Sequence, residues 1–149
     1  MPHWLMKSEP DELSIRDLQR LGQARWDGVR NYQARNYLRA MNVGELFLFH
    51  HSSCAEPGIA GIGRIVSEPY PDPTAVDPES PYFDARASLE KNPWSALDVA
   101  FVEAFPAVLS LKRLRDEPEL ARMPLLQKGS RLSVMPIDED DWLRVLALR

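Results

Sequence analysis

The sequence predicts an α+β fold built on a mostly antiparallel sheet, and three observations carry that expectation. Two β-favouring runs, "ELFLFHH" at Glu45–His51 and "GIAGIGRIVSE" at Gly58–Glu68, follow one another across a short loop holding Ser52, Ser53 and Pro57. Helical patterns lie before and after the strand-like runs, so the regular βα alternation of a doubly wound sheet is missing. With 149 residues and 44% hydrophobic content, the chain suits one domain, residues 1–149, whose sheet curls around one core. A domain of about 150 residues buries roughly two thirds of its unfolded surface.

The elements follow in order. "HWLMKS", His3–Ser8, reads as a strand halted by Pro10. Ser14 can cap a first helix with Asp17 in the capping-box position. Ile15, Leu18 and Leu21 keep helical spacing up to Gly22 as its C-cap. "WDGVRNYQARNYLR", Trp26–Arg39, opens with an indole and a turn and passes into a second helix over about Asn31–Met41. Tyr37, Leu38 and Met41 can face the core there, while Arg35 and Arg39 share a face. The five prolines of "EPYPDPTAVDPESP" remove backbone donors and predict an ordered loop rather than a long helix or a central strand. "ALDVAFVEAFP", Ala96–Pro106, reads as a strand. Leu111–Met123 reads as short helical turns broken at Pro118, and "RLSVMP", Arg131–Pro136, as a strand. Asp138 is placed to cap a final helix with Trp142, Val145, Leu146 and Leu148 as apolar contacts.

A net charge of −4 argues against a protein that coats nucleic acid by phosphate neutralisation alone. From Arg25 to Arg39, however, four arginines (Arg25, Arg30, Arg35, Arg39) face one acid (Asp27), a local charge of +3 that suits a small anionic footprint. No apolar run approaches the ~18 residues of a membrane span and no secretory signal opens the chain, so a soluble, cytoplasmic protein is expected. The lone Cys54 agrees with a reducing compartment.

Catalytic and cofactor patterns are weak. Gly58, Gly61 and Gly63 lie in a strand pattern with no helix following, which fits bulge or close-packing glycines better than a phosphate loop. His50 and His51 are adjacent and would point to opposite faces of a strand, so no metal site and no cofactor are expected. Glu9, Asp11 and Glu12 flank a turn, and Cys54 with His51 gives only a faint thiol-nucleophile pattern. The acids from Asp138 complement a helix N-terminus.

Five blocks in order, "WLMKSEP", "WDGVRNYQARNYLR", "FHHS", "GIGRIVSEPYPDPT" and "KGSRLSVMP", together resemble the EVE domain, a member of the PUA-like superfamily that includes the thymocyte nuclear protein group. The likeness runs through nearly the whole chain. More loosely, Lys7-Ser8, Trp26, the strand pair around His51 and Trp94 are similar in layout to YTH domains, which read methylated adenine in an aromatic pocket. The resemblance implies a PUA-like pseudo-barrel of mostly antiparallel strands with flanking helices. It further implies a binding module, with no catalysis of its own, for a modified nucleobase in DNA or RNA. With no effector fused in this chain, activity would come from binding or from a partner.

The residues give that expectation a physical sense. A base is a flat π-system with a donor/acceptor edge, so a reader needs a stacking surface and a few fixed polar groups, and stacking contributes about 1–3 kcal/mol per base. A single-stranded target avoids most of the few kcal/mol needed to flip a base out of a duplex. Trp26 is the stacking candidate, or else a core indole. Arg30 and Asn31 could reach a base edge or phosphate, or stand as a solvated arginine and an N-cap. Lys7 and Ser8 would add a cation and a hydroxyl to the same cavity; His51 and Ser52 could add polar contacts. Trp94 would be a second aromatic wall, and Lys128, Arg35 and Arg39 are candidate phosphate contacts. Two other functions stay open: an enzyme acting on nucleotides or RNA through Glu9, Asp27, His51 or Cys54, and a protein-interaction domain with a vestigial pocket that docks through residues 69–81.

Overall fold

The structure, a computed structural model, describes residues 2–149. Its elements run β1 (His3–Ser8), α1 (Ile15–Leu21), β2 (Gln23–Trp26), α2 (Tyr32–Ala40), β3 (Leu46–His51), β4 (Gly58–Ile65), β5 (Tyr70–Pro71), β6 (Ser95–Ser110), α3 (Leu111–Arg115), β7 (Val134–Ile137) and α4 (Glu139–Leu148). Three 3-10 turns, Pro73–Val76, Pro118–Leu120 and Pro124–Leu126, each begin on a proline, whose fixed φ suits a first helical position. Among the described residues, no helix is long and apolar enough to cross a membrane.

The sheet has the order β2-β6-β4-β3-β1-β7, with β5 added on β6. All pairs are antiparallel except β1 with β3. That parallel pair needs a long crossover, which α1, β2 and α2 supply. The mostly antiparallel sheet with flanking helices is the expected one, and it is open, ending at β2 and β7. Its core differs from expectation: side chains alternate to two apolar layers rather than one. Trp4, Met6, Phe47 and Phe49 join the layer closed by α1 and α2, while Leu5 and Leu48 join the one closed by α3 and α4.

The local signals of the sequence reappear as geometry. Ser14 and Asp17 form the capping box of α1, although Leu21 stands 57% exposed at its end rather than in the core. The Asn31 side chain caps α2 by accepting from Ala34 N at 2.9 Å. Strand β2 is an addition, because four residues with a charged Arg25 in their middle hide the inward alternation of Ala24 and Trp26. The Ala96–Pro106 run extends to a 16-residue β6, and Arg131–Pro136 contracts to Val134–Ile137. Gly61 and Gly63 of β4 are close-packing glycines at register shifts: a β-carbon on Gly63 would stand 2.3 Å from the Phe47 ring.

Candidate functional site

The parallel pair β1 and β3 ends side by side, with Ser8 opposite His51, and a hollow of about 670 Å³ opens beside those ends. This lies within the roughly 300–1,000 Å³ of small-ligand pockets. Its other walls come from the end of β2 with the turn after it, from Tyr82 in the proline-rich segment, and from Arg131 and Ser133 just before β7.

Trp26 forms an apolar wall. Its indole is 5% exposed and held edge-to-face by Phe47 and Phe49, at centroid distances of 5.6 and 5.3 Å. Leu13 and Val29 extend the apolar lining. Polar groups surround it. The Ser8 hydroxyl donates to Leu13 O at 2.8 Å, tying the strand end to the turn that follows. Lys7 is half-buried, and burial pushes its ammonium below the usual lysine value; among the described residues it has no carboxylate within 4.0 Å. Ser52 and Ser53 close the rim, and Ser53 holds φ 52, a left-handed backbone that non-glycine residues keep mainly where the surroundings impose it.

The lining carries three cations, Lys7, Arg25 and Arg131, and three acids, Glu9, Glu12 and Asp27. Arg25 pairs with Asp27 at 2.9 Å, and the Tyr82 hydroxyl donates to the Glu12 carboxylate. The sum is zero. A neutral, flat ligand with a polar edge suits such a lining better than a free phosphate does.

Of the residues singled out in the sequence for binding, the hollow brings together Lys7, Ser8, Trp26 and Ser52, and it also takes in Glu9 and Asp27 of the enzyme reading. The other binding candidates stand elsewhere, and all but the exposed Lys128 have an internal occupation. Arg30 spends all five guanidinium donors inside the protein: Nε and Nη2 on Tyr82 O at 3.1 and 2.8 Å, Nη1 on Val29 O at 3.0 Å and Asp72 Oδ2 at 2.9 Å, and Nη2 on Thr74 Oγ1 at 3.1 Å. Arg35 and Arg39 each donate to Pro93 O, at 3.1 and 3.0 Å, and Arg39 also to Ser95 Oγ at 2.9 Å. Trp94 is 4% exposed, stacks on Tyr32 and donates to Asp84 at 2.9 Å. His51 accepts from Ile15 N at 3.1 Å, which occupies the nitrogen a base would need for Cys54. Its neighbour His50 points the other way, as strand alternation requires. Lys128 is exposed in the loop before β7.

Asp72 sits at the centre of a second network. Its side chain has no exposure, and its carboxylate accepts from Gly28 N, Arg30 and both the amide and the hydroxyl of Thr74, at 2.6–2.9 Å. Burial alone would raise its pKa, but the bonds from Thr74, Gly28 and Arg30 together hold it below the usual aspartate value. Tyr82, Glu12, Arg131, Ser53 and Ser133 also line the hollow without being marked as binding residues by the sequence, as does Arg25 of the local basic stretch. For Tyr82 a signal existed: an aromatic residue directly after the last proline of a proline-rich segment belongs to an ordered loop. Among the described residues, no three metal-binding side chains gather.

A family profile described as EVE domain matches residues 2–148. The chain belongs to the EVE domain family. Thymocyte nuclear protein 1 of Homo sapiens is 42% identical over 98% of this chain and 73% of its own length. Among solved EVE relatives, a protein from Pseudomonas syringae is 66% identical with a TM-score of 0.96, each chain covered to 98%. The structure of human THYN1 in complex with 5-methylcytosine containing DNA is 40% identical with a TM-score of 0.93, covering 99% of this EVE chain and 97% of its own. The Mmi1 YTH domain shares the fold at 11% identity and a TM-score of 0.56.

Proposed function

We propose that this EVE domain, acting as one unit over the chain, binds a modified nucleobase in DNA or RNA and performs no chemistry of its own. The observation that carries this is the hollow of net charge zero in which the Trp26 wall meets the unpaired ammonium of Lys7 and the hydroxyls of Ser8 and Ser52. An aromatic edge sets the width of the slot, and the cation and hydroxyls meet the base's polar edge. The likeness to human THYN1, solved with 5-methylcytosine containing DNA, supports the ligand class. A single strand or a flipped base reaches the hollow; a base stacked in a duplex does not. Lys128, three residues before Arg131, is the candidate for a neighbouring phosphate. The engagement of His51 with Ile15 and of Arg25 with Asp27 supports binding over catalysis. A cytoplasmic setting belongs to the same proposal, supported by the single free Cys54.

The test is a titration of labelled oligonucleotides with and without 5-methylcytosine, each single- and double-stranded. Saturable binding that favours the modified strand is expected, and Lys7→Met should weaken it at least tenfold while the protein melts as the native one does. Equal affinity for modified and unmodified strands would remove the proposal.

A further inference from the structure

Tyr82 comes from a segment far from the other walls, yet the fold grips it from three sides. Its ring lies on the backbone of Gly28, where an added β-carbon would come within 2.8–2.9 Å of three ring carbons; Gly28 itself holds φ +77. Its hydroxyl donates to Glu12 across the rim. Its carbonyl accepts two bonds from Arg30, whose guanidinium carbon stands 5.8 Å from the ring centroid. The buried Asp72 ties these supports together, because it holds both Arg30 and the Gly28 amide beneath the ring. Trp26, by contrast, is clamped edge-on by two phenylalanines and leaves 5% of its surface open.

We infer that Tyr82 is the surface on which the bound base stacks, and that Arg30 and Asp72 are positioning residues that set the plane of its ring. This rests on the modified-base reading of the same hollow. The base lies on the Tyr82 face with its edge toward Lys7 and the serines, while Trp26 limits how far it can enter. Arg30 acts through Tyr82 and touches neither base nor phosphate, since its donors are all engaged.

The experiment titrates a single-stranded oligonucleotide carrying 5-methylcytosine into the native protein and into Tyr82→Phe, Tyr82→Trp, Tyr82→Leu and Arg30→Lys. All titrations run well below the lowest melting midpoint of the set. Tyr82→Phe keeps the ring and should bind within about twofold of native, with Tyr82→Trp at least as tight. Tyr82→Leu should bind about 5- to 150-fold more weakly, the value of one lost stacking contact of about 1–3 kcal/mol. Arg30→Lys retains a charge beside Asp72 but loses the forked grip on Tyr82 O. It should weaken binding while leaving the slope of log affinity on log salt unchanged, whereas a lost phosphate contact would reduce that slope by about one. Ring variants that bind no better than Tyr82→Leu overturn the stacking role, and a reduced slope in Arg30→Lys overturns the positioning role. A native protein with no preference for the methylated strand defeats the modified-base reading and this inference together. A native preference left intact by Tyr82→Leu defeats this inference alone.

Discussion

His50 shows how one side chain can set the response of the whole protein to acid. It is 2% exposed with neither ring nitrogen hydrogen-bonded among the described residues. Burial, with smaller contributions from Lys7 and His51, pushes its pKa down to about 3. An unfolded histidine titrates near 6.5, so between about 3 and 6.5 the unfolded chain takes up a proton that the native protein refuses. The stability due to neutral His50 is therefore complete above 6.5 and is lost as pH falls through that window, by up to about 1.4 kcal/mol per unit. Denaturant titrations at pH 7 and pH 5 should show the native protein losing about 2 kcal/mol relative to His50→Leu, and parallel losses would contradict the assignment. At this scale the sequence was readable where partners are local. The Ser14–Asp17 box and the Asn31 cap lie within three residues of their targets. Arg30 was not readable, because Asp72 and Tyr82 stand 42 and 52 residues away.

Among the elements, β3 and β4 hold the centre of the sheet, and their contact depends on the absence of a side chain at Gly63. A methyl group on Gly63 would collide with the Phe47 ring, and that ring in turn braces Trp26. Gly63→Ala should thus cost about 1–3 kcal/mol as overpacking and lower the melting midpoint by several degrees, at about 2–4 °C per kcal/mol for a chain of this size. An unchanged midpoint would mean that Phe47 moves aside freely. The periodicity of the long strands and capped helices is legible in the sequence alone. Strand β2 is not, since an edge strand of four residues offers too few alternations to outweigh its charged members. Nor is the division of the apolar residues into two layers, because alternation along a strand does not say whether its second face meets helices or water.

At the scale of the whole molecule, a chain of net charge −4 presents a hollow of net charge zero, and this limits how it can hold a polyanion. With Arg25 engaged by Asp27, the cations left on the lining are Lys7 and Arg131, and Lys128 lies close to the latter in sequence. Three phosphate contacts would give a slope of log affinity on log salt of about −2.7 for a duplex. Measurements between 50 and 200 mM salt should find a slope no steeper than that, and a much steeper one would require a basic track outside the hollow. Part of the hollow could be foreseen from sequence: the strand-end pair Lys7-Ser8, Trp26 and Ser52 lie in blocks that also mark the family. Tyr82, from the end of the proline-rich segment, and Arg131 and Ser133, from the loop before β7, fold back over distances that no local pattern encodes.

The Asp72 carboxylate also imposes an order on assembly. A ribosome that has completed α2 has already made Gly28 and Arg30, yet the carboxylate that holds both is absent until the segment beginning at Asp72 emerges. A nascent chain arrested before that point would carry the first walls of the hollow without the knot that gives them shape.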